Sequence, residues 1–195
     1  LKANTTADYN VAIGRFAMGE NTTGTRNTAI APFSLDANTT GNYNVALGYA
    51  ALSTNTTADY NTSVGYNSLL LNETGANNVA VGALALDANT TGSNNTAIGT
   101  NAFTTNTTGS NNVAVGLQAL FANTTAGENV AVGQNAMVAN TTGTRNVAVG
   151  RLALDANTTG NDNTAIGMGA LTANTTGIDN TACGRETLIN ATTAS

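Results

Sequence analysis

Asn140-Thr-Thr-Gly-Thr-Arg-Asn-Val-Ala-Val-Gly-Arg-Leu-Ala-Leu-Asp-Ala156 is one copy of a unit that runs through the whole chain. The asparagine opening each copy falls at Asn4, Asn21, Asn38, Asn55, Asn72, Asn89, Asn106, Asn123, Asn140, Asn157 and Asn174, a constant step of 17 residues without insertion or deletion. A fixed short period of this kind marks a repeat architecture, in which each unit buries its apolar side against its neighbours. Residues 1–195 therefore read as one repeat domain. Leu1-Lys2-Ala3 reads as the tail of an earlier copy and Ala191-Thr-Thr-Ala-Ser195 as the start of a later one, with no atypical capping repeat at either end. Because solenoids need their ends covered, the expectation is a segment of a longer protein.

Within the unit, position 1 is always Asn. Positions 2 and 3 are Thr-Thr except at Glu73, and position 4 is Gly or Ala. Position 7 is again always Asn: Asn10, Asn27, Asn44, Asn61, Asn78, Asn95, Asn112, Asn129, Asn146, Asn163 and Asn180. Position 8 is Val or Thr, position 9 is Ala apart from Ser63, and position 10 is Ile, Val, Leu or Cys. Position 11 is a turn glycine at Gly14, Gly48, Gly65, Gly82, Gly99, Gly116, Gly133, Gly150, Gly167 and Gly184, replaced once by Ala31 before Pro32. Position 14 is Ala or Ser except Thr187, and position 15 is Leu, Met or Phe.

A unit this short cannot hold a helix pair, which takes about 33 residues or more. Val-Ala-Val-Gly and Thr-Ala-Ile-Gly are β-branched segments bounded by turn residues and read as short strands. Gly-x-x-Asn and Gly-x-x-Ala read as two related turns, with glycine supplying the positive φ. Two short strands and two turns close one coil. The expected fold is all-β: a parallel β-solenoid with one repeat per coil, about eleven coils, uncapped. At an interstrand spacing of ~4.8 Å the rod would be on the order of 50 Å long.

Stacking turns each repeat position into a column. The two invariant Asn columns are expected to form side-chain ladders that satisfy otherwise buried amides. Two assignments of the apolar positions stay open. In one, Ala at positions 9 and 14 fills a narrow lumen while positions 10 and 15 face outward and need a partner. In the other, positions 8, 10 and 15 are buried and the monomer is self-sufficient.

Composition excludes more than it selects. Trp and His are absent, charged residues make up 9% and the net charge is −5, so there is no basic footprint for nucleic acid. Low charge with abundant Asn, Thr and Gly is shared by disordered chains, but a strict apolar register inside each unit is not. No apolar run approaches the ~18 residues of a membrane-spanning helix.

The motif Asn-x-Ala-Ile/Val-Gly-x-x-Ala, as in Asn10-Val-Ala-Ile-Gly-Arg-Phe-Ala17 and Asn163-Thr-Ala-Ile-Gly-Met-Gly-Ala170, resembles the head repeats of YadA-like trimeric autotransporter adhesins and related tracts in phage tail-fibre-like proteins. The resemblance covers every repeat. It implies a parallel β-roll assembled as a homotrimer. The departure is the period: the adhesin heads repeat at about 14 residues, whereas here the Leu-x-x-Asn-Thr-Thr segment stretches the second half to ten. That extension makes Leu at position 15 either an added core residue or an added contact.

No catalytic, cofactor or metal residues are assigned. With no His, neither a Ser-His nor a Cys-His pair can be assembled. Asp36, Asp87 and Asp155 share position 16 in separate coils and read as solvated surface charge. Cys183 takes the place of Ile or Val at position 10 and reads as a space-filling apolar residue. The Gly-Gly-x-Gly-x-Asp pattern of calcium-binding rolls is missing. Asn-Thr-Thr is formally a glycosylation sequon, repeated about once per coil with Asn72-Glu-Thr as a variant. Thr at positions 2 and 3 resembles the threonine arrays of ice-binding solenoids, although neighbouring residues on a strand point to opposite faces. Tyr9, Phe16, Phe33, Tyr43, Tyr49, Tyr60 and Tyr66 cluster in the first four repeats and fit either a contact strip or drift within a repeat family.

The function expected is that of a non-enzymatic, structural or adhesive solenoid in an extracellular surface fibre, an adhesin stalk or head or a phage tail fibre. Its partners would be further copies of itself, a trimer by resemblance, and a host-surface or matrix receptor, with neither nucleic acid nor membrane contacting this segment. An ice-binding monomer and a self-assembling filament subunit are the alternatives.

Overall fold

The computed structural model describes residues 2–192. Leu1 and the last three residues of the C-terminal partial copy lie outside them. Eleven three-residue strands, from β1 (Val11–Ile13) to β11 (Thr181–Cys183), follow one another at the repeat spacing. They form one parallel sheet in sequence order. Its register is the period itself: Ala12 pairs with Ala29, Ala97 with Ala114 and Ala165 with Ala182. The chain is a β-solenoid of about ten turns, one 17-residue unit per turn.

Each coil holds one strand, at positions 8 to 10, where two were expected. The other long side is a run of turns, and backbone handedness is the reason. Positions 6, 13 and 15 are left-handed in coil after coil, as at Asn94 (φ 59), Asn101 (φ 52) and Phe103 (φ 54). Alternating handedness along positions 12 to 15 cannot make a pleated strand, yet the coils still bond along the axis. Asn101 N–H donates to the Ala83 carbonyl of the preceding coil (3.0 Å), and Phe103 N–H to the Ala119 carbonyl of the following one (2.9 Å).

The lumen follows neither of the two assignments left open. The middle residue of each strand points inward and its two neighbours outward, as in Thr96–Ile98. Ala97, Ala102 and Phe103 at positions 9, 14 and 15 are all fully buried, and so are their equivalents through most of the stack. Position 15 is thus core, and the longer second half makes room for it. Positions 8 and 10 face out. Only a small residue fits opposite another across the lumen, which explains Ala at positions 9 and 14. Where serine replaces alanine at both, in one coil, Ser63 Oγ bonds the Ser68 carbonyl (2.7 Å) and the Ser68 hydroxyl, so no polar atom of that pair is stranded.

Candidate interaction surface

The invariant asparagines are fully buried from Asn21 through Asn174. In the position-1 column, Asn38 Nδ2 donates to Asn21 Oδ1 of the preceding coil (2.7 Å) and to the Gly41 carbonyl of its own turn (3.0 Å). The same pair of bonds recurs at Asn89 and at Asn157. In the position-7 column the acceptor is used differently. Asn95 Oδ1 receives the backbone N–H of Asn112 (3.0 Å), and Asn112 Nδ2 reaches the Ala126 carbonyl of the next coil (3.0 Å). From Gly24 through Gly177 each position-4 carbonyl therefore receives an amide from both columns, and the two ladders are stitched together at that turn. From Asn21 through Asn174 the position-1 side chain is buried with its amide nitrogen bonded and has no room for a sugar, so those sequons are inaccessible in the folded chain, whereas Asn4 at the first coil is exposed.

A third ladder was not read from the sequence. Thr25 N–H donates to Asn42 Oδ1 (2.8 Å), Asn42 N–H to Asp59 Oδ1 (2.6 Å) and Ser93 N–H to Ser110 Oγ (3.0 Å). The side chain at position 5 thus caps the backbone of the coil before it. The available signal was the excess of Asn, Asp, Ser and Thr at a position treated as variable. Where Gly127 breaks the column, an open hollow of about 290 Å³ appears between Ser110, Glu128 and Arg145.

The position-11 glycines bring the coils closest. Gly99 has φ +136, and a Cβ there would lie 2.5 Å from the Gly116 carbonyl oxygen. The threonines divide. Position-2 hydroxyls, as at Thr90 and Thr107, donate to the backbone carbonyl one coil on (both 3.0 Å), leaving the position-3 column alone facing solvent.

Two further expectations are corrected. Cys183 is exposed on the outer side of β11, because position 10 faces outward. Asp87 and Asp155 are partly buried, and one carboxylate oxygen of each is enclosed without a donor. Burial pushes both carboxyls, and that of Asp36, above the usual aspartate value. Among the described residues no three Cys, Asp or Glu side chains converge as a metal site.

The most extensive chemical feature is the outer side of the sheet. Its 22 outward positions, 8 and 10 of eleven coils, are filled by Val, Thr, Ile and Leu with one Cys, and none is charged. Val11, Ile13, Val45, Leu47, Ile98, Val149 and Ile166 stand well exposed. Position 6 borders this strip on one side and position 12 on the other. In the first four coils aromatic rings line both borders, Tyr9, Tyr43 and Tyr60 at position 6 and Tyr49 and Tyr66 at position 12, with Phe16 and Phe33 at the adjoining position 13. Tyr43 stacks on Tyr60 at 4.9 Å, with Arg26 held between Tyr9 and Tyr43 and donating to Tyr43 Oη (2.8 Å). On the far side Phe16, Phe33, Tyr49 and Tyr66 form a continuous run of ring contacts at 5.4 to 5.7 Å. In later coils the position-6 column is polar and carries the Arg145–Asp162 ion pair (2.7 Å).

No protein-family model, curated protein or solved structure matches the chain.

Proposed function

We propose that this chain is a structural segment of an extracellular fibre, a bacterial adhesin stalk or head or a phage tail fibre, built from parallel copies packed through the outer side of the sheet. The observation that carries the reading is the uncharged apolar strip running the length of the rod. Exposed apolar surface of this extent on a protein marks a contact site. At ~4.8 Å per coil and ~10 Å across its three-residue strands, it offers on the order of 500 Å² per copy, to which the bordering positions 6 and 12 add. A stable interface takes about 800 Å² from each partner. The lumen needs no partner to be complete, so association adds to a fold that stands alone. Reach and rigidity are the physical contribution, and the motif resemblance favours three copies.

Ice binding draws less support, because position-2 hydroxyls are committed to backbone carbonyls and only one threonine column remains free.

Light scattering on a sizing column tests the reading. The expected mass is about three times 19.5 kDa. A mass near 19.5 kDa at tens of micromolar would overturn it, and masses that climb with concentration would replace it with end-to-end filament growth.

A further inference from the structure

Resting on the assembly just proposed, we infer that the aromatic borders of the first four coils set the polarity and register in which copies of this chain pack against one another.

A rod of identical coils has a register problem. Its apolar strip repeats every coil, so a second copy displaced by one coil along the axis meets almost the same surface. The loss is only the last coil at each end, about a tenth of the contact. The same repeat identifies the partner: only an object with the same axial period can make equivalent contacts at every coil, and a second copy has that period by construction.

The strip therefore supplies affinity without specifying alignment. Alignment has to come from positions that differ along the rod, and these are its borders. Ten of the eighteen exposed large apolar side chains among the described residues lie between Tyr9 and Tyr66. In a parallel pair in register, aromatic coils meet aromatic coils, and the polar position-6 residues from Asn77 onward meet coils without exposed rings. In an antiparallel pair the Tyr43–Tyr60 stack would lie against the stretch that carries Glu128, Arg145, Asp162 and Asp179, and would strip water from those charges. A slip of several coils brings the same mismatch. Preformed stacks are suited to this role, because the Tyr43–Tyr60 and Tyr49–Tyr66 rings are already ordered and lose little freedom on contact.

The test uses the full chain with Cys183→Ser and one spin label at Thr108→Cys, an exposed position outside the strip. Pulsed dipolar spectroscopy reads the distance between labels on neighbouring copies. The expected result is one narrow distance. Tyr43→Asn, Tyr60→Asn, Tyr49→Gln and Tyr66→Gln are then combined; these residues already occur at the same positions in Asn77, Asn94 and Gln134, so the coil accepts them. The mass should be unchanged while the distance distribution broadens toward longer values, because slips of several coils at ~4.8 Å each add in quadrature to the lateral separation. Adding Asn94→Tyr and Asn111→Tyr to that variant builds a new stack two coils long and should restore a single distance. An unchanged narrow distance in the four-residue variant overturns the inference and leaves the fibre reading standing. A monomeric variant also overturns it, because the aromatic coils would then supply affinity. A monomeric parent overturns the fibre reading and the inference together.

Discussion

Gly99 shows how tightly each residue is held by the coil beyond it. A methyl group there would sit 2.5 Å from a carbonyl oxygen and 2.7 Å from its carbon, with the backbone at φ +136. Backbone cannot retreat as a flexible side chain can. Gly99→Ala is therefore expected to cost roughly 2–4 kcal/mol and to lower the thermal midpoint by about 5–10 °C. Ala31 is the natural counter-experiment. It occupies the same column at φ 114, and its N–H still reaches the Ile13 carbonyl (2.8 Å). Ala31→Gly should relieve the backbone and raise the midpoint by about 2–4 °C. A fall in the midpoint would show that the methyl group contributes packing worth more than the strain it causes. Asparagine at positions 6 and 13, as at Asn94 and Asn101, belongs to the same economy of φ, since it tolerates the left-handed region better than most residues.

Strands and turns were not equally legible. Val-Ala-Val between Asn and Gly announces a strand whatever surrounds it, because β-branched residues on either side of a small one match a pleat with a crowded inner face. The opposite side carried a misleading signal. Leucine is not a residue that advertises positive φ, yet Leu86, Leu120 and Leu154 adopt it at position 15 and are fully buried. Packing in the lumen overrides the local preference, and that is a tertiary effect no single repeat displays. For the same reason the inward set could not be chosen from pattern alone: positions 9, 14 and 15 are not spaced at any strand period. The Asn ladder was legible as a column, but its stitching at the position-4 carbonyl required knowing how the turn folds back. Leu120 gives the quantitative check. Leu120→Ala empties part of a closed lumen and should cost about 2–5 kcal/mol, whereas Leu188→Ala, at an exposed site in the last coil, should cost under about 1 kcal/mol. Thermal unfolding of the two variants compares them, and equal losses would mean that the lumen relaxes around the gap.

At the scale of the whole molecule, the few charges make an uncommon pH profile. Asp36, Asp87 and Asp155 all have carboxyls raised above the model-compound value of 3.8, first by burial and, for Asp36, next by the nearby Glu20. The folded chain thus holds these protons more tightly than the unfolded chain. Their contribution is fully present below the unfolded value and is lost as pH rises through the folded one. Asp162 runs the other way, its carboxyl lowered by the Arg145 hydrogen bond, but that pair is exposed on the surface and is screened. The rod is therefore expected to keep or gain thermal stability between pH 6 and about pH 4, where most proteins begin to lose it. Asp87→Asn should raise the midpoint at pH 7 by about 2 °C and flatten the profile. A midpoint that falls steadily on acidification would reject this account of the three carboxyls.

The direction of the inter-coil bonds has a mechanical consequence. Nearly every backbone bond outside the turns joins residues 16 to 18 apart, and so lies along the rod. Pulled by its ends, such a stack is loaded as a zipper, one coil at a time. Each coil that lets go releases 17 residues, close to 55 Å of extended chain in exchange for ~5 Å of rod. A tether of this kind lengthens about tenfold in equal increments under a nearly constant force, and each increment can close again when the load drops.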